Sequence, residues 1–223
     1  MSLSTPSRLD ALLTGIFYLG LGLTGAPAFV GIWPLLFVEG DPAASIANLI
    51  EQERLVRISV ALVLGSVIFQ TLTGIWFARL FRAADTHAAN TIALFSTVIA
   101  VATLASAVML RVALDVAAGP GADESQQLSY ALLQACSRFW EFGAIFFGLW
   151  LMPMGWLVLK ARYGPRALGW TLITGSICYV LSVFISVLAP AAGIWVAALP
   201  ILATIGEFWM IGLLFWKGLH RKR

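Results

Sequence analysis

Charge is what this chain has least of. Only 11% of its 223 residues are charged, against about a quarter in ordinary globular domains, while 60% are hydrophobic. A soluble fold of this size could not bury so much apolar surface. Cysteine is scarce too. Cys136 is expected near one membrane interface and Cys178 about eleven residues deep in a later helix, roughly 15 Å away by helical rise, beyond disulfide reach. The two histidines, His87 and His220, fall at expected helix ends, so no pair of axial haem ligands lies within the apolar stretches. No His, Cys, Asp or Glu cluster has metal-ligand spacing, and no phosphate-binding glycine loop, nucleophile elbow or dinucleotide fingerprint occurs. No catalytic residue, metal or cofactor is therefore assigned, and the reading leans away from an enzyme.

What is present is a series of long uncharged runs. Between Asp10 and Glu39 lie 28 residues without a charge, between Arg57 and Arg79 21, and between His87 and Arg111 23. Glu141 to Lys160 encloses 18, and Arg166 to Glu207 encloses 40, a length for two crossings divided near Pro190. A hydrocarbon core of ~30 Å takes roughly 20 helical residues, so six transmembrane helices are expected. Lipid satisfies no open strand edge, which makes the protein all-α. The expected spans are 9–36, 55–80, 88–115, 126–162, 166–189 and 192–218, in a single polytopic domain covering 1–223. Ala26-Pro27-Ala28 mimics a signal-peptidase site, but the apolar run continues through Phe37, so the first helix reads as retained and kinked near Pro27 or Pro34. Asp41-Pro42 carries an N-cap and first-turn proline signature. Ile46, Leu49 and Ile50 then share a face, which predicts a short amphipathic interfacial helix over 42–54. Residues 119–124 read as the clearest exposed loop. Small residues at Gly15, Gly22, Gly25, Gly148 and Gly155 are expected to mark close helix contacts.

Basic residues set the orientation. With the N-terminus cytoplasmic, the inner face holds Arg8, Arg79, Arg82, Lys160, Arg162, Arg166, Lys217, Arg221, Lys222 and Arg223 against Asp10 and Asp85. The outer face holds four arginines against eight acids, and every lysine is inside. Both termini are thus expected in the cytoplasm of a cell (inner or plasma) membrane protein. The basic balance reads as topology and contact with membrane lipids, not nucleic-acid binding.

Two polar constellations could carry function. Glu207 lies near mid-depth of the last helix, where a charge costs roughly 2.5–3.5 kcal/mol on insertion scales. No Lys or Arg shares its expected depth. Gln70, Thr71, Tyr18, Ser176 and Tyr179 do. Such an acid is either a ligand or proton site in the bundle centre or a neutral group hydrogen-bonded to Gln70 or a tyrosine, holding helices together. The second constellation is an outer belt in which Glu53–Arg57 and Arg111–Asp115 are spaced i,i+4 and Arg138–Glu141 i,i+3. It reads either as three local pairs or as a cup for an anionic or zwitterionic headgroup. In the second case Arg57, Arg138 and Glu141 are the binding members and Trp140 and Phe139 line the wall. Asp85 beside His87 reads as a capped, solvated helix end.

The stretch Gly143-Ala144-Ile145-Phe146-Phe147-Gly148-Leu149, then Gly155-Trp156-Leu157-Val158 and Pro165-Arg166-Ala167-Leu168-Gly169, carries a resemblance. So do Gly40 to Ala44, Arg57, Tyr179, Leu188-Ala189-Pro190, Gly206-Glu207 and Trp216-Lys217-Gly218. Over nearly its whole length the chain resembles a family of bacterial six-helix integral membrane proteins known only as a domain of unknown function. The resemblance implies the topology and draws attention to Glu207 and Arg57, but gives no activity. The chain departs from it at Trp150, where the family often has histidine. The leading expectation is a protein that binds or transports a lipid-like or amphipathic small molecule in a cavity near Glu207. The alternatives are an accessory subunit, with a membrane-protein partner or a second copy against its Trp-rich faces, and an outer-face lipid-modifying enzyme.

Overall fold

The computed structural model describes residues 7–119 and 123–220. About 90% is helical, and no strand occurs among the described residues. Helix α1, Arg8–Ala26, continues through a π-helical segment, Pro27–Ile32, into a single turn α2, Trp33–Leu36. Then follow α3 (Pro42–Glu51), α4 (Glu53–Phe81), α5 (Thr86–Ala117), α6 (Asp123–Lys160) and α7 (Arg166–Leu188). A 3-10 turn, Pro190–Ala192, and α8 (Gly193–Ala198) lead into α9, Pro200–Leu219.

Six stretches are long and apolar enough to cross a membrane: Arg8–Leu36, Glu53–Phe81, Thr86–Ala117, Glu124–Lys160, Arg166–Leu188 and Pro200–Leu219. Their large side chains do not retreat from the surface. Val30 is 77% exposed and Phe208 68%. Apolar surface on that scale needs lipid around it, so the chain is a multi-pass membrane protein.

Helix ends follow local chemistry. Pro27 has no N–H to give its ladder and its ring crowds the carbonyl one turn back, so the helix widens into the π segment there. Pro34 sits in the first turn of α2, where its missing donor costs nothing. Arg162 takes a left-handed backbone (φ 47°), which stops α6 before the Tyr163-Gly164-Pro165 turn. The last span is shorter than the expected 192–218, because the chain breaks at Leu199 before Pro200 restarts it. The exposed loop expected over 119–124 falls largely on residues 120–122, and the basic tail on 221–223, all outside the described residues.

Contacts gather into two compact units, to both of which α1, α4, α5 and α6 contribute. The first comprises residues 7–19, Phe69–Ile99 and 142–220. Its helices approach closely at glycine. A Cβ on Gly175 of α7 would sit 2.8 Å from the Cα of Ala203 on α9. One on Gly155 would sit 2.5 Å from the carbonyl oxygen of Gly169, and one on Gly148 2.7 Å from Val180 Cγ2. Polar contacts secure the helix ends. Arg79 pairs with the largely buried Asp10 at 2.8 Å, and Arg8 donates to the carbonyls of Gly218 and Leu219 at the end of α9. Asp85 caps α5 by accepting from the Ala88 N–H and also pairs with Lys160 at 2.8 Å. That cap is the role expected for it, and Lys160 holds its carboxyl well below the usual range, helped by Ala88 and Trp156.

The second unit comprises Gly20–Ile68, 100–119 and 123–141. Leu36, Leu49, Val56, Leu110, Leu114 and Leu133 form its core. Helix α3 has the expected start, with Asp41 accepting the Ala44 N–H at 2.9 Å and Pro42 following. Its buried stripe is Ser45, Ile46 and Leu49, however, and Ile50 is exposed. One residue past Leu49 turns the side chain by about 100°, off the packed face. The small-residue expectation also needs correction here. A Cβ on Gly22 would meet nothing within 4 Å, and on Gly25 only Ser66 at 3.9 Å. Both cysteines are free, as their separation required.

Candidate functional site

Helices α1 and α9 bring one acid and one tyrosine together inside the first unit. The Tyr18 hydroxyl donates to Glu207 Oε1 at 2.7 Å, across 189 residues of sequence. Helical geometry makes this meeting stiff. The Tyr18 ring is buried edge-on against Trp150 at 5.3 Å and Phe77 at 5.7 Å, both fully enclosed. Those two rings fix the direction in which the hydroxyl points. Glu207 itself is half-buried, and it forms no ion pair among the described residues. The acid is therefore held by a neutral donor, the arrangement that the helix-holding alternative described, with tyrosine and not Gln70 as the partner.

Further polar atoms in the same unit are buried with nothing to bond to. They are Trp150 Nε1, Trp76 Nε1, Ser176 Oγ, Gln70 Oε1 and the Tyr163 hydroxyl. Each such atom costs about 1–3 kcal/mol when left dry, and native structures usually account for them. Trp150 matters most, because its ring touches the Tyr18 ring while its N–H is unpaired. Sequence reasoning noted this residue only as a departure from a family pattern. An indole inside an apolar run gives no signal of whether its N–H finds an acceptor.

The other expected members divide. Gln70 does not reach out to Glu207 through its amide nitrogen. Its Nε2 donates to Ser96 Oγ at 2.9 Å, and Ser96 Oγ donates back to the Gln70 backbone carbonyl at 2.6 Å. This reciprocal clasp joins α4 to α5, where a Cβ on Gly74 would come within 2.4 Å of Ser96. Gln70 thus serves a helix contact. Tyr179 lies half-buried on α7, within electrostatic range of the Glu207 carboxylate.

The belt residues belong to the second unit. Arg57 pairs with Glu53, and Arg111 with Asp115 at 2.7 Å. Arg138 pairs with Glu141 and reaches Glu39 at 3.5 Å. Arg57, Arg111 and Arg138 each therefore have a local carboxylate, and the side chains of Arg57 and Arg138 are each 54% exposed. Trp140 is occupied in a stack on Phe29, with centroids 3.5 Å apart. The Glu39 contact was not foreseen, since 99 residues separate it from Arg138.

Chemically, the Tyr18–Glu207 pair offers a carboxyl group with hydrogen-bonding capacity beyond the single bond tyrosine supplies. No group of three metal-ligating side chains occurs among the described residues.

Compared with known proteins, the chain matches the profile described as "Domain of unknown function (DUF4386)" over residues 13–218. No curated protein and no solved structure matches it.

Proposed function

The chain belongs to that family of unknown function, matched across most of its length, and on that footing we propose that it binds, and in binding carries, a lipid-like or amphipathic small molecule within the membrane. The Tyr18–Glu207 pair is the polar contact for the molecule's head, and its apolar body lies between the aromatic-rich helices. One observation carries this reading. An acid with no ion-pair partner among the described residues is held between membrane-spanning helices by a buried tyrosine, whose ring packs on an indole with an unpartnered N–H. Intramembrane ionisable groups that face neighbouring helices are most often functional, and unpaired donors beside them call for a bound acceptor. Tyr179 stands beside this site, while Gln70 serves the α4–α5 contact instead. The protein works in the cell (inner or plasma) membrane with both termini in the cytoplasm, and Arg57, Arg138, Glu141 and Trp140 face the outer headgroup layer.

Native mass spectrometry of gently purified protein tests the reading. A retained small molecule is expected on the wild type, at reduced occupancy on Glu207→Gln. A wild type that carries only bulk lipid, equally on the variant, removes Glu207 from the account. A retained polypeptide in place of a small molecule would instead favour the accessory-subunit reading.

A further inference from the structure

A second site lies in the other unit, apart from the Tyr18–Glu207 pair. Between the start of α3 and the first turns of α6 is a cavity of about 420 Å³, within the usual range for small-ligand sites. Asp41, Ile46, Gln126, Gln127 and Tyr130 are among its lining residues, and Asp41 is the one charged residue of that lining among the described residues. Arg138 of the same unit is matched by Glu141 and Glu39. The lining thus offers a carboxylate, amide oxygens and an aromatic ring, but no cation among the described residues.

Two of these groups are held in place. Asp41 Oδ1 accepts the Ala44 N–H at 2.9 Å, which orients the carboxylate and does not need its second oxygen. The Tyr130 hydroxyl accepts the Gly40 N–H at 2.9 Å, and its ring is stacked with Phe37 at 5.9 Å. Fixing a tyrosine at both hydroxyl and ring is what a cation–π contact needs, because the attraction works within about 6 Å of a steady ring face. An anion would meet the Asp41 charge here, and a purely apolar ligand would strand that carboxylate and the amides. We propose that this cavity binds a small organic ammonium group, with Asp41 supplying the countercharge and Tyr130 the ring. The ammonium comes either from a lipid headgroup or from a free amine.

The probes are choline and tetramethylammonium, titrated calorimetrically against full-length protein in a maltoside detergent. Saturable binding is expected, with no binding of 3,3-dimethylbutanol, the uncharged carbon counterpart of choline. Asp41→Asn keeps the helix cap, since asparagine caps as well as aspartate, and removes only the charge. It should bind choline roughly fivefold more weakly. Tyr130→Leu should lose binding, while Tyr130→Phe keeps the ring and should retain most of it. In nanodiscs, competition by phosphatidylcholine but not phosphatidylglycerol would identify a lipid headgroup as the source; no competition would identify a free amine. No saturable binding of either probe, equal binding of the neutral counterpart, or an unaltered Asp41→Asn would each overturn the proposal.

Discussion

Removing the Tyr18 hydroxyl is the perturbation whose outcome the structure specifies most narrowly. Tyr18→Phe leaves the ring in its contacts with Trp150 and Phe77 and deletes only the donor of the 2.7 Å bond to Glu207. Interhelical hydrogen bonds in membranes contribute about 0.6 kcal/mol on average and about 1.7 at most. Here the acceptor left behind is an acid among apolar helices, and an unsatisfied buried group adds about 1–3 kcal/mol. The single variant should therefore lose about 1–2 kcal/mol. Glu207→Leu should lose a similar amount by stranding the Tyr18 hydroxyl. The double variant removes both partners, so its loss should fall short of the sum by about 1 kcal/mol. Reversible unfolding in mixed maltoside and dodecyl sulfate micelles, followed by circular dichroism, gives the three differences. A coupling below about 0.3 kcal/mol would refute the reasoning, because independent sites already add to within that margin. Glu207→Gln should be nearly as stable as wild type, since its amide oxygen accepts the same bond. That variant therefore separates the helix contact from ligand occupancy.

Four further outcomes follow from other positions. Gly175→Ala places a methyl group against the α9 backbone at Ala203 and should destabilise by about 1–3 kcal/mol in the same micelle assay. Gly212→Ala meets nothing within 4 Å and should be neutral or slightly stabilising. Asp85 is held below its ordinary value of about 3.8 by Lys160, so its contribution to stability is present above that value and lost as pH falls through the lower folded value. The stability difference between wild type and Asp85→Asn should be flat above about pH 5 and should shrink below about pH 4; a difference that grows on acidification contradicts the assigned cap. Arg79→Met strands the largely buried Asp10 and should cost about 1–2 kcal/mol, measured by the same unfolding titration.

The six spans were legible because lipid imposes one long, uncharged, helical pattern at each crossing. The Asp41-Pro42 helix start was legible for a local reason, since a cap needs only its own first turn. The Tyr18–Glu207 contact was half legible. Counting residues from the charged ends gave a shared depth, but depth does not say which helix faces which. Gln70 shows the limit. It has the right depth to reach Glu207, yet packing at Gly74 turns its amide to Ser96. Ile50 shows another, because three apolar residues on one turn can occupy about 100° more than the packed stripe uses. Pairings such as Asp10–Arg79 and Glu39–Arg138 depend on helix neighbours, which periodicity within one helix does not encode.

The most direct measurement is an experimental density map of the wild-type protein in lipid nanodiscs, read at the Glu207 carboxyl group. The account predicts non-protein density within hydrogen-bond distance of that group, with an apolar body continuing between the helices. A carboxyl satisfied wholly by protein side chains, with acyl chains confined to the outer surface of the helices, would contradict it.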